Sequence, residues 1–123
     1  MVNYKYYNRN PKGLHIQDCV CRAISTATGL KYDAVENLLA ITAEENHCEM
    51  LCVCCYKYLL SDTLCYPISY CNFNVTASEL ARKYPYNILI IRVNEHLTCS
   101  IDGVVSDIWD CADELVDCYW IVD

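Results

Sequence analysis

The dipeptide Asp102-Gly103 lies between two alternating runs, His96-Leu97-Thr98-Cys99-Ser100-Ile101 and Val104-Val105-Ser106-Asp107-Ile108-Trp109. Asp-Gly in that setting is among the strongest local signals for a two-residue hairpin, because both central residues of the favoured turn need positive φ. A tight turn sets the register by counting: Ile101 opposite Val104, Thr98 opposite Asp107, His96 opposite Trp109. Side chains alternate faces along a strand. His96, Thr98 and Ser100 therefore share a face with Val105, Asp107 and Trp109, while Asp110 points to the other. His96 and Asp107 become diagonal cross-strand neighbours, within reach of a carboxylate–imidazole hydrogen bond. A His oriented by an Asp is two members of a nucleophilic triad, so the rest of the chain is searched for the third.

A chain of 123 residues that is 54% hydrophobic fits one domain with an ordinary core, spanning residues 1–123. No linker, repeat or low-complexity segment divides it. The formal charge of −7 argues against nucleic acid as a partner, since phosphate neutralisation needs clustered cations. Lys5, Arg9 and Lys12 read as a solvated strand and loop. No apolar run approaches a membrane span, and the polar, aromatic start does not resemble an export signal. With eleven cysteines, an odd number, and no such signal, most are expected to be reduced, buried thiols in a cytoplasmic protein. Asn74-Val75-Thr76 matches a glycosylation acceptor, a match without meaning in that compartment.

In chain order, residues 3–8 alternate weakly as an edge strand, and Asn10-Pro11-Lys12-Gly13 is a turn. A first helix is predicted over Cys19–Thr28, with Asp18 as N-cap and Gly29 as its stop. A second covers about Asp33 to Glu45, with Asp33 and Glu36 at capping-box spacing and Val35, Leu38, Leu39 and Thr42 turned inward. A third covers about Glu49 to Leu60, with an apolar stripe of Leu51, Cys54, Cys55, Tyr58 and Leu59. Thr63–Tyr70, interrupted by Pro67, is an edge strand or loop. Thr76-Ala77-Ser78-Glu79 is a capping box opening a short helix that ends before Pro85. Strands follow at Ile88–Val93, in the hairpin, and at Tyr119–Val122. Helices first and strands last read as α+β.

Cys19, at the first helical position, is the candidate nucleophile. A thiolate there meets unpaired N–H groups and the positive end of the helix dipole, and the Cys19 N–H can serve a developing oxyanion. Cys21 points to a different helix face. Glu95 beside His96 favours the imidazolium, which suits a thiolate–imidazolium pair.

The order Cys19, His96, Asp107 resembles the papain-like superfamily of cysteine peptidases, and more closely a group of small phage- and prophage-encoded members. The resembling pieces are Asn10-Pro11-Lys12-Gly13, Asp18-Cys19-Val20-Cys21-Arg22-Ala23-Ile24, Val75-Thr76 leading to Ala81-Arg82-Lys83-Tyr84-Pro85, the hairpin through Asp107-Ile108-Trp109-Asp110-Cys111, and Tyr119-Trp120. The resemblance implies N-terminal helices packed on a C-terminal antiparallel sheet. It also implies a cofactor-independent hydrolase of peptide, isopeptide or related amide or thioester bonds, with Cys19, His96 and Asp107 catalytic and a protein or peptide as substrate. Gln17 is the candidate for the family's oxyanion glutamine, although it lies only two residues before the Cys; Asn10 and His15 are alternatives. Trp109 is expected beside His96, shielding the His–Asp bond. The family often has Gly where this chain has Glu95, and Gly where it has Val20. The alternative is a catalytically inactive papain-like module that binds or blocks a host protein.

Cys48, Cys52 and Cys55 have the C-x3-C-x2-C spacing of iron–sulfur radical enzymes, but the chain is too short for that barrel. Zinc held by His47, Cys48, Cys52 and Cys55 is a minor alternative to simple packing. The reading retained has no metal. The tyrosine clusters are taken as core and rim packing.

Overall fold

A computed structural model describes residues 3–123. Met1 and Val2, part of the stretch read for an export signal, lie outside the described residues. The fold is α+β: the described residues form four α-helices and a six-stranded sheet. Elements run β1 (Tyr4–Tyr6), α1 (Cys19–Thr28), α2 (Tyr32–Asn46), α3 (Val53–Lys57), a π-helical stretch (Tyr58–Thr63), β2 (Ile68–Tyr70), α4 (Ala77–Lys83), β3 (Ile88–Val93), β4 (His96–Ile101), β5 (Val104–Asp107) and β6 (Val116–Ile121).

The sheet order is β1-β5-β4-β3-β6-β2. All pairings are antiparallel except β1 with β5, which is parallel, Tyr4 facing Val105 and Tyr6 facing Asp107. The sheet is therefore mixed rather than antiparallel. The N-terminal strand fills the open edge of β5, where the Asp107 carbonyl accepts the Tyr7 N–H and the Tyr4 hydroxyl, both at 2.9 Å. Pairing along β3 alternates two cores. Ile90 joins α1, α2, α3 and Trp120 on one face, while Leu89, Ile91 and Val93 pack with α4 residues Ala77, Leu80 and Ala81 on the other.

Local chemistry accounts for several boundaries. Asp102 and Gly103 both take positive φ, 50° and 83°, and Ile101 pairs with Val104 as counted. Gly29 ends α1 in the left-handed conformation with its N–H on the Ser25 carbonyl. The Thr76–Glu79 capping box is complete, each side chain accepting from the other's backbone N–H.

Four expectations are corrected. Asp18 precedes α1 but makes no side-chain cap, because its carboxylate is occupied by other partners described below. Helix α2 begins at Tyr32, after Lys31, so Asp33 sits in the first turn rather than closing a capping box. The third helix starts at Val53, with the Cys52 thiol accepting the Cys55 N–H, and residues 48–52 form turns instead. Its buried stripe is Cys55, Tyr56, Leu59 and Leu60, leaving Leu51, Cys54 and Tyr58 exposed. Both faces of this segment carry apolar residues, so periodicity left the phase open; Tyr56, packed edge-on to Trp120 and accepting from Arg92 Nε at 2.9 Å, decides it. The last strand begins at Val116, three residues before the predicted start, because Val116 and Cys118 pair with Val93 and Arg92 of β3 and Cys118 also with Tyr70 of β2. Among the described residues, no helix is long and apolar enough to cross a membrane.

Candidate active site

Three elements bring Cys19, His96 and Asp107 together: the N-terminus of α1, the start of β4 and the end of β5. His96 Nε2 lies 2.6 Å from Asp107 Oδ2. Cys19, half-buried, lines the same cavity as this imidazole, which helps lower its thiol pKa. With Nε2 committed to Asp107, Nδ1 is the ring nitrogen that this carboxylate does not engage.

Asp107 is the hub. Its Oδ1 accepts from Arg22 Nη1 and from the Ile108 N–H, each at 2.7 Å, while Oδ2 takes His96 and a long contact from the Cys111 thiol at 3.9 Å. Arg22 also donates through Nε to Asp18 Oδ1, and Asp18 Oδ2 accepts from Tyr32 Oη at 2.6 Å and Asn10 Nδ2 at 3.0 Å. Charges alternate along the resulting line: Asp18, Arg22, Asp107, His96, Cys19. Because the Asp18 carboxylate is spent on Arg22, Tyr32 and Asn10, it does not cap α1, whose first residue is Cys19.

The electrostatics follow from this line. Burial pushes the Cys19 thiol up, but the hydrogen bonds from His96 and the Leu97 backbone, with the positive charges of His96 and Arg22, bring it below its ordinary 9.0. Burial alone would lower His96; its hydrogen bonds to Asp107, Cys111 and Cys19 and the Asp107 charge carry it from 6.5 up to about 11. Asp107 is raised by burial yet ends below 3.8, held down by the hydrogen bond and charge of His96 and by Arg22. The arrangement favours a thiolate–imidazolium pair next to an ionised carboxylate. By contrast, burial pushes Cys21 up to about 12, as expected for a thiol on another helix face.

A cavity of about 600 Å³ opens over Cys19 and His96, walled by Ile16, Val20, Leu51 and Trp109, with Gln17 and Glu95 at its polar edge. Of the three oxyanion candidates, Gln17 lines this cavity. Asn10 is buried in the loop it organises, its Oδ1 accepting the Lys12 N–H at 2.9 Å, and His15 contacts the Tyr6 hydroxyl at 2.7 Å. The Trp109 ring stands edge to face with His96, centroids 4.8 Å apart, and is itself half exposed, so it covers one side of the imidazole. Asp110 is exposed and accepts the Ala112 N–H at 3.1 Å, away from the ring.

Sequence reasoning passed over Arg22 and Cys111. Asp18 and Arg22 are four apart at a predicted helix start, a spacing that pairs opposite charges and could have drawn attention to Arg22. Nothing local points to Cys111.

Cys48 does contact Cys52 and Cys55. Among the described residues, however, the group of three whose ligand atoms lie within 4.8 Å of one another is His96, Asp107 and Cys111. There, the 2.6 Å between His96 Nε2 and Asp107 Oδ2 is shorter than the ~3.3 Å separating two ligands of a tetrahedral zinc ion. The Arg22 guanidinium already compensates the same carboxylate. The geometry is that of shared protons rather than of a ligand set.

Compared with known proteins, the chain matches no family model, and no curated protein or solved structure is significantly similar to it.

Proposed function

We propose that this protein is a thiol hydrolase of papain-like design, acting on a peptide, isopeptide or related amide or thioester bond. The observation that carries the proposal is the convergence on one cavity of the Cys19 thiol, at a helix N-terminus without a side-chain cap, and of His96, whose Nε2 is held by Asp107.

The Cys19 thiolate attacks the acyl carbon, and the C=O electrons move onto oxygen. In this reading the Cys19 N–H receives that oxyanion, with Gln17, which lines the cavity, as the side-chain donor. Collapse of the intermediate expels the leaving group, which takes the proton from His96 Nδ1, and a thioester remains on Cys19. Water then attacks the thioester while His96 accepts its proton, and the thiolate and imidazolium are restored as the acid departs. Asp107 keeps the ring oriented and stabilises its charge. Arg22 is a positioning residue, holding Asp107 in one rotamer.

The test is site-resolved alkylation by low iodoacetamide near pH 6. Cys19 should label before the other ten thiols, and His96→Ala should abolish that preference. Slow, uniform labelling would instead leave the non-enzymatic interaction module.

A further inference from the structure

We infer that the candidate site takes a substrate with a cationic group, of the lysine or arginine type, close to the scissile bond, and that Glu95 selects it. This rests on the hydrolase reading. Glu95 borders both the large cavity and a smaller hollow of about 110 Å³, and Cys19 and His96 line both. It is exposed, and among the described residues its carboxylate has no hydrogen-bond or ion-pair partner. The other charges nearby are matched: Arg22 by Asp18 and Asp107, and Arg92 by Asp117.

Counting the ionised forms, Arg22 and His96 face three anions, Asp18, Asp107 and Cys19, and Glu95 adds a fourth. The cavity mouth is thus negative, the same sign as the net −7 of the whole chain, of which these residues are part. Around it the walls are apolar and aromatic, and the exposed part of Trp109 offers a π surface that a cation favours.

The backbone adds a separate observation. Val93 pairs with His96, so Asn94 and Glu95 make a two-residue turn, and Glu95 holds φ at 55°. That left-handed conformation costs a side-chain-bearing residue energy that glycine would not incur. The tight turn imposes that conformation and fixes Glu95 immediately before His96, at the rim of the cavity.

The experiment compares three methanethiosulfonates, neutral methyl, cationic trimethylammonioethyl and anionic sulfonatoethyl. Each forms a mixed disulfide with a thiolate and releases methanesulfinate. Rates are read at Cys19 and at exposed Cys65 by peptide mass spectrometry, Cys65 reporting the effect of overall charge. The cation-to-anion rate ratio should be about tenfold higher at Cys19 than at Cys65, and Glu95→Gln should bring the two within about threefold. Glu95→Gly, which the positive φ accommodates, should do the same. If Cys19 outpaces Cys65 with the neutral reagent but its charge ratio ignores both substitutions, Glu95 does not select charge, while the hydrolase reading stands. If Cys19 is no faster than Cys65 with the neutral reagent, the hydrolase reading itself falls, and the inference with it.

Discussion

Arg22 donates to Asp107 at 2.7 Å from 85 residues away in sequence, with both side chains at least 93% buried. One carboxylate therefore divides its oxygens, Oδ1 to a permanent cation and Oδ2 to an imidazole. The division explains how Asp107 stays ionised in a buried position where it would otherwise hold its proton.

Removing that cation should be costly. In Arg22→Met, Asp18 keeps its charge without the buried cation that paired it and Asp107 keeps only His96, and a loss of about 3–5 kcal/mol in unfolding free energy is expected. Urea denaturation at neutral pH measures it. The deficit should narrow in acid, as the variant's two carboxylates take up protons. A deficit below about 1 kcal/mol would mean that water already screens the pair.

Asp107→Asn keeps the shape of the side chain and removes the charge that raises His96. The imidazolium should become easier to deprotonate, and the Cys19 thiolate should lose part of its support. Its alkylation midpoint should then move to higher pH. Hydrolysis of any substrate found should fall by about a hundredfold or more. An unmoved midpoint would detach Asp107 from the reactivity of the thiol.

Stability should depend on pH at both ends. Asp107 and Asp18 both titrate below their ordinary 3.8 in the folded protein, so their contribution is present above that value and is lost as pH falls through the folded values. His96 is raised to about 11, so its contribution is complete below 6.5 and is lost as pH climbs from there toward 11. Denaturation midpoints between pH 3 and 10 should form a plateau from about pH 4 to 6.5. His96→Gln should flatten the alkaline decline, and a decline unchanged in that variant would assign it elsewhere.

Gly103→Ala tests the hairpin that carries His96 and Asp107. At φ 83° a Cβ is strained, and it would stand 3.3 Å from the Pro85 Cα, a backbone atom with little freedom to move. A loss of about 1–2 kcal/mol is expected from thermal melts. A neutral result would show that Pro85 and the turn can shift together.

Much of the scaffold was legible from short-range chemistry. The α1 boundaries, the Thr76 capping box, strand Ile88–Val93 and the Asp102-Gly103 turn all rest on interactions between residues a few positions apart. The hairpin register put His96 and Asp107 on one face by counting alone. What stayed illegible needed a partner from elsewhere. Asp18 looked like an N-cap because capping residues are acidic or hydroxylic, yet Arg22, Tyr32 and Asn10 claim its carboxylate. The stripe in residues 49–60 was placed out of phase because Trp120 and Arg92, which bury Tyr56, lie about sixty and forty residues away.

By itself, then, the sequence determined where the chain turns, where α1 starts with a thiol, and that a histidine and an aspartate share one hairpin face. Turn φ preferences, caps and alternation are local and act before the chain collapses. Tertiary structure alone decided that β1 completes the sheet in parallel and that Asp107 is shared between Arg22 and His96. It also decided that Cys19 and His96 border one open cavity. Those are contacts between distant segments, specified by packing and by the need to compensate buried charge, and no local pattern encodes them.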